Sequence, residues 1–210
     1  MLTTIIKIVL EQGNVEILDK YVIENVNSQL KTKFSPNLPS YGISAGIGSI
    51  TFKDISHKFL NYSKQGLLTS DIPIEIYIKN MVTGDEQIVS SWVSKSWNYD
   101  VDDNNFTVLL RDNIEDMQKI DMNDAITYLE IQGQSMSGLD FYNYIKSLTP
   151  EKFVFDTLDE NVSSLLSSVV IETPYLQANN LWSYYELICQ LCLLQMFKNP
   201  HGEITFKTIV

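Results

Sequence analysis

Cysteine is scarce in this chain, two residues in 210, and histidine equally so. Two thiols do not make a disulfide framework. Together with the histidines they give four scattered candidates, His57, Cys189, Cys192 and His201, without the paired spacing of a structural zinc site. Basic side chains are also few: 15 Lys and Arg stand against 26 Asp and Glu, a net charge of −11. That deficit removes the cationic footprint that phosphate backbones require, so nucleic-acid-specific binding is not expected. Long apolar runs are missing too. Residues 1–13 are apolar, but Lys7 interrupts them, and they lack a basic start and a small-residue cleavage site. The most apolar stretch, 181–197, contains Glu186, Gln190 and Gln195 and is short of the ~20 residues of a membrane span. The expectation is a soluble protein made in the cytoplasm, with no direct membrane insertion.

Apolar residues make up 44% of the chain and aromatics 11%, enough to fill an interior, so wholesale disorder is excluded. The length suits one large or two small domains. The first half alternates with a period of two, the mark of half-buried strands. In Ile72-Pro-Ile-Glu-Ile-Tyr-Ile78 the four isoleucines share one face, and Pro73, which cannot donate to a ladder, marks an edge or a strand start. Similar strands are predicted over 5–10, 15–18, 21–30, 47–52, 87–99 and 106–110. Turn chemistry falls between them at Gly13-Asn14, Thr83-Gly84-Asp85 and Asp102-Asp103-Asn104-Asn105. The segment 54–64 reads as a short helix or irregular crossover. Residues 1–111 are expected to form an antiparallel barrel or sandwich.

After Arg111 the texture changes. A short connecting helix is predicted over 112–119, a strand over 126–132, and a helix over 158–169 that Thr173-Pro174 stops. A buried helix is predicted over 181–197, capped by Asn180 and closed by Asn199-Pro200, followed by a strand over 203–209. The fold class is therefore mainly β with an α+β second part. Residues 1–111 form the barrel-like domain and residues 112–210 a smaller helix-plus-strand domain. The last strand runs to the end of the sequence without a cap, so its sheet is expected to be completed by a partner or by further residues.

No catalytic, cofactor or metal site emerges. Cys189-x-x-Cys192 lies mid-helix among leucines, where a redox pair needs a helix N-terminus, so both are expected in the core. Asp100-Val-Asp-Asp-Asn104 opens like a calcium loop, but Asn105 and Arg111 occupy the positions of the required glycine and glutamate, and a hairpin turn accounts for the acids. Gly42-x-x-x-Gly46-x-Gly48-Ser49 lacks a P-loop lysine and precedes a strand. No Gly-x-Ser-x-Gly elbow occurs. The acidic pairs Glu115-Asp116 and Asp159-Glu160 read as solvated helix surface. Trp92, Trp97 and Tyr99 could form an exposed platform for a carbohydrate or other ligand. Residues five apart in a strand face opposite sides, so at least one tryptophan is expected in the core.

The order of these motifs resembles a family. Val15-Glu-Ile-Leu-Asp-Lys-Tyr-Val-Ile-Glu-Asn-Val-Asn-Ser-Gln-Leu30 is similar to the strand that starts many tailed-phage tail proteins. So is Gly48-Ser-Ile-Thr-Phe-Lys-Asp-Ile-Ser56, followed by Phe59-x-x-Tyr62-Ser and Gly66. Gly84–Trp92 and Trp97-Asn-Tyr-Asp100 look like the family's hairpin leading into 106–110. Leu181-Trp182 with Glu186-Leu-Ile188, then Gly202-Glu-Ile-Thr-Phe206, resembles the tryptophan helix and Gly-x-Ile-x-Phe strand of baseplate-hub and tail-tip proteins. The resemblance implies a non-enzymatic structural protein of the virion, made in the bacterial host cytoplasm and lacking a cofactor. It would assemble as a homo-oligomeric ring, trimeric or hexameric, contacting tail-tube, tape-measure and tip proteins. The reading from another class is a β-sandwich ligand- or carbohydrate-binding module.

Overall fold

The computed structural model describes residues 2–10, 15–19, 23–32, 42–122, 135–172 and 180–208. The protein is mainly β, a curled antiparallel seven-stranded sheet forming a half-barrel, with a smaller helix and strand region. Two compact units divide the chain. The first takes Met1–Lys31, Gly46–Asp112 and Asn199–Gly202, and the second Thr32–Ala45, Asn113–Lys198 and Glu203–Val210.

The seven strands are β1 (Leu2–Val9), β2 (Val15–Leu18), β3 (Ile23–Thr32), β4 (Gly42–Lys53), β5 (Pro73–Asn80), β6 (Glu86–Asp100) and β7 (Asn105–Arg111). In the first unit they pair in the order β2-β1-β5-β6-β7-β4, with β3 also on β4. The register explains the alternation. Ile6 faces Ile76, Ile8 faces Ile74, Ile50 faces Val108, and Phe52 faces Phe106. All eight are buried, so each strand commits its apolar set to the concave face. Pro73 is the first residue of β5. Ile78 shares the parity of the buried isoleucines but lies where the sheet ends and stays 38% exposed.

Two irregularities bend β6. Ile76 pairs with Ser90 but Tyr77 with Ile88, and Ser94 pairs with Leu110 but Ser96 with Leu109. Val89 and Lys95 are therefore extra residues on the longest strand, and such bulges add local twist and curl a sheet. Helix α1 (Lys58–Lys64) packs against the concave face. Its N-cap residue His57 has a left-handed backbone and makes no side-chain cap bond. The buried Asp54 takes over: its carboxylate accepts from Phe59 N at 3.2 Å and Leu60 N at 2.8 Å, while its carbonyl accepts from His57 N at 3.0 Å. The cap holds Phe59 edge-on to Phe52, with centroids 4.8 Å apart.

The second unit contains a 3₁₀ helix (Asn113–Lys119), β8 (Ser135–Ser137), α2 (Gly138–Leu148), α3 (Glu160–Ser168), β9 (Val170–Glu172), α4 (Leu181–Leu191), β10 (Leu194–Lys198) and β11 (Ile204–Thr208). Strand β8 pairs with β9, and β10 pairs with β11 and in parallel with Gly42 and Ile43. The helix caps are polar and local: Ser137 accepts from Asp140 N, Asp159 from Val162 N and Asn180 from Ser183 N. Tyr142, Phe155, Tyr185 and Phe206 interlock, with centroids 5.4–6.4 Å apart.

The helix predicted over 181–197 ends at Leu191. Cys192 is its cap, Leu193 turns left-handed at φ 52°, and the chain continues as β10. Leu194, Met196 and Lys198 also fit a period of two, and pairing with β11, Met196 against Phe206, selects the strand. The segment predicted as a strand over 126–132 lies outside the described residues, as do the turns at Gly13-Asn14 and Thr173-Pro174. Helix α2 was not expected, although Ser137-x-x-Asp140 carries a reciprocal capping pattern.

Gly138 shows how tight this unit is. A Cβ there would lie 2.7 Å from the Leu166 carbonyl oxygen, a backbone atom that cannot swing aside. Gly138→Ala is expected to lose about 1–3 kcal/mol in urea denaturation, by overpacking. An unchanged midpoint would show that α2 and α3 can separate freely.

Candidate assembly surface

Strand β2 is an edge: among the described residues it pairs with β1 alone. Its side chains alternate, with Leu18 buried and Val15 and Ile17 turned outward. Ile17 is 61% exposed, in a position where a solvated edge strand ordinarily carries charge. It borders two grooves. One, of about 250 Å³, is lined by Glu16, Leu18, Lys53, Ile55, Lys58 and Phe59 among others. The other, of about 240 Å³, is lined by Thr3, Ile5, Asp19, Lys79, Met81 and Glu86.

Around Ile17, Glu16 and Glu86 are held by lysines. Glu16 accepts from Lys58 Nζ at 2.6 Å and from the Tyr62 hydroxyl at 2.8 Å. Glu86 accepts from Lys7 Nζ at 2.8 Å and Lys79 Nζ at 2.9 Å, and Lys53 lies 3.3 Å from Glu24. The hydrogen bond from Lys7, then that from Lys79, lowers the Glu86 carboxyl below its usual range. The bond to Glu16 raises Lys58. Desolvation, followed by the bond to Glu16, raises Tyr62. Lys7 also sits 4.1 Å from the centre of the Tyr77 ring, whose hydroxyl donates to Glu75 and is pushed up to about 12, first by that bond.

The residues singled out in the sequence occupy other places. Trp92, Trp97 and Tyr99 all pack on the concave side, because the extra residue Lys95 restores one parity across a five-residue gap. The expectation that Trp92 and Trp97 face opposite sides is therefore wrong, and the cause is the bulge. Trp92 is 8% exposed, Trp97 stacks on Phe59 at 6.3 Å and donates to the Thr69 carbonyl, and Tyr99 lies 4.8 Å from Phe106. The platform does not face outward. Asp100–Asn104 forms the β6–β7 turn, where Asp102 N donates to the Asp100 carboxylate. Gly42, Gly46 and Gly48 lie within strand β4 itself, not in a loop that opens a helix, and Gly46 leaves room for Trp92, whose Cζ3 would be 2.7 Å from an added Cβ. Asp116 is buried and paired with Lys119 at 2.9 Å, while Asp159 caps α3. His57 precedes α1, and His201 lies in the β10–β11 turn. Among the described residues no three His, Cys, Asp or Glu side chains are grouped to hold a metal, and no helix is long and apolar enough to cross a membrane.

Cys189 and Cys192 are both buried and free, one on α4 and the other at its end. Burial pushes both thiols up, Cys192 to about 11 from an ordinary 9.0. A thiol held protonated in the folded state favours that state below pH 9, and the contribution fades as pH rises through about 11. We expect slow labelling of both thiols by an uncharged disulfide reagent at neutral pH, and alkaline destabilisation between pH 9 and 11 that a Cys189→Ala/Cys192→Ala variant reduces. Rapid labelling of both in the folded protein would overturn the burial.

No family model matches this chain, and no curated protein matches it. Among solved structures it is similar to the 43 kDa tail protein of prophage MuSo2 from Shewanella oneidensis, with TM-score 0.50 and 12% identity over 99% of this chain and 53% of that one. A chain in the virion of a native gene transfer agent particle is similar over 53% of this chain and 40% of its own, with TM-score 0.35 and 11% identity. The chain thus spans about half the length of the MuSo2 protein. The first likeness shows a fold shared with a phage tail protein.

Proposed function

We propose that this chain is a structural, non-enzymatic subunit of a phage tail tip or baseplate hub. It assembles with copies of itself into a ring, of trimeric or hexameric symmetry, between the tail tube and the distal tip proteins. Its two compact units, drawn mainly from residues 1–111 and 112–210, act as its two domains. The observation that carries this reading is the fold likeness to a phage tail protein along nearly the whole chain. The outward apolar edge of the half-barrel supports it, because an unpaired strand edge is a template for another chain. A carbohydrate-binding module needs its aromatic rings at the surface, and Trp92, Trp97 and Tyr99 turn inward.

The test is the mass of the protein in solution, alone and co-expressed with the products of neighbouring tail genes. A ring gives a closed multiple of 24.0 kDa. A chain that stays at 24.0 kDa both alone and with tail partners is not a hub subunit.

A further inference from the structure

We infer that the face centred on Ile17, formed by edge strand β2 and its two flanking grooves, is a surface against which a second copy of this chain docks. The inference rests on the ring reading above and names the surface that makes the ring.

Self-association of this protein has an electrostatic obstacle. Each copy carries a net charge of −11, so two copies brought together over most of their surface repel one another. The Ile17 face is different. Glu16 and Glu86 are ion-paired there to Lys58 and to Lys7 and Lys79, Glu75 across from Lys7 accepts from the Tyr77 hydroxyl, and Lys53 is the fourth lysine, in the groove beside Ile55. The chain has only 15 basic residues in total. Asp19 is the further acid in the groove beside Met81. A like-charged copy can therefore approach this face without the penalty it meets elsewhere.

The rest of the surface suits association by shape and apolarity. Val15, Ile17, Ile55 and Met81 are exposed on or beside β2, and the grooves on either side of Ile17 can each seat side chains from a partner. Strand β2, Val15-Glu-Ile-Leu18, has no proline and no lysine, and its one charge, Glu16, is turned inward to Lys58 and Tyr62, leaving Val15 and Ile17 on the outer face. With four residues, the strand offers few backbone hydrogen bonds to a neighbour. Most of the affinity then falls on Ile17 and its surroundings, as apolar anchors dominate interfaces generally.

The experiment is sedimentation velocity of the full chain over a concentration series, comparing wild type with Ile17→Lys and with Val101→Lys. Val101 is 72% exposed on the β6–β7 turn and serves as a surface control. Ile17→Lys is expected to raise the concentration needed for assembly by about tenfold or more, while Val101→Lys leaves it unchanged. Circular dichroism and a thermal melt report whether each variant keeps its fold. Should Ile17→Lys not fold, Ile17→Thr, which keeps a β-branched side chain, is read in the same way. Assembly of Ile17→Lys at wild-type concentrations overturns this inference and leaves the ring reading standing. Loss of binding to a neighbouring tail protein with self-assembly intact assigns the face to that protein and also overturns it. A wild-type chain that never assembles, alone or with tail partners, fails the ring reading itself.

Discussion

Trp182→Ala is expected to destabilise the protein by about 3–5 kcal/mol, the cost of removing a large ring from a packed interior and leaving a cavity. Trp182 lies in the first turn of α4 and belongs to the core of the second unit. The helix offers the site little room to collapse. Leu181, Trp182, Tyr184, Tyr185, Ile188 and Cys189 are all buried, so its neighbours on nearly every side are themselves locked by packing. With a urea dependence of about 1–3 kcal/mol per molar, the denaturation midpoint should fall by at least about 1 M. A midpoint within error of wild type would mean that the ring is not a core element.

Phe52→Ala should cost a similar ~3–5 kcal/mol, this time in the half-barrel. Phe52 has no exposed surface, faces Phe106 across β4 and β7 with rings stacked at 5.9 Å, and meets Phe59 edge-on at 4.8 Å. The variant loses the buried area of the ring and also the edge-on contact, worth about 0.5–1.5 kcal/mol more in favourable cases. Because Phe59 is the residue that anchors α1, limited proteolysis should show new cleavage near Lys58 and Lys64. Leu109→Ala, on the solvent side of the neighbouring strand, is the control and should change stability little. Equal protease resistance in Phe52→Ala and wild type would show that α1 is held by something other than Phe59.

Self-assembly of the chain and its dependence on Ile17 are the functional counterparts of these stability tests. They address a surface, where substitutions away from packing and caps change stability by only a few tenths of a kcal/mol. An effect of Ile17→Lys on mass without an effect on melting would therefore report on association alone.

The strands of the half-barrel were readable because alternation is a local property. Ile72, Ile74 and Ile76 declare a buried face without reference to any partner, and the turn residues Thr83-Gly84-Asp85 and Asp102–Asn105 mark where the chain reverses. Asn180 announced α4 by the same locality, since an N-cap acts within three residues. The proposed docking surface was less legible. Ile17 is an ordinary strand residue in sequence, and its exposure follows from β2 lying at the edge. The ion pairs that surround it join residues as far apart as Lys7 and Glu86 or Lys58 and Glu16.

Composition and periodicity alone determined that the protein is mainly β in its first half and mixed in its second, that it is strongly acidic, and that its cysteines belong to an apolar run. Each of these depends on residues within one turn or one strand of each other. Tertiary structure decided the rest. The run from Leu194 to Lys198 satisfies a helical and a strand period equally, and only β11 and the start of β4, lying alongside, made it a strand. The inward direction of Trp97 depends on the extra residue Lys95, a bulge defined by the register between β6 and β7 and invisible in either strand by itself. Where two local solutions are nearly equal in energy, the backbone hydrogen bonds and buried area supplied by a distant partner choose between them.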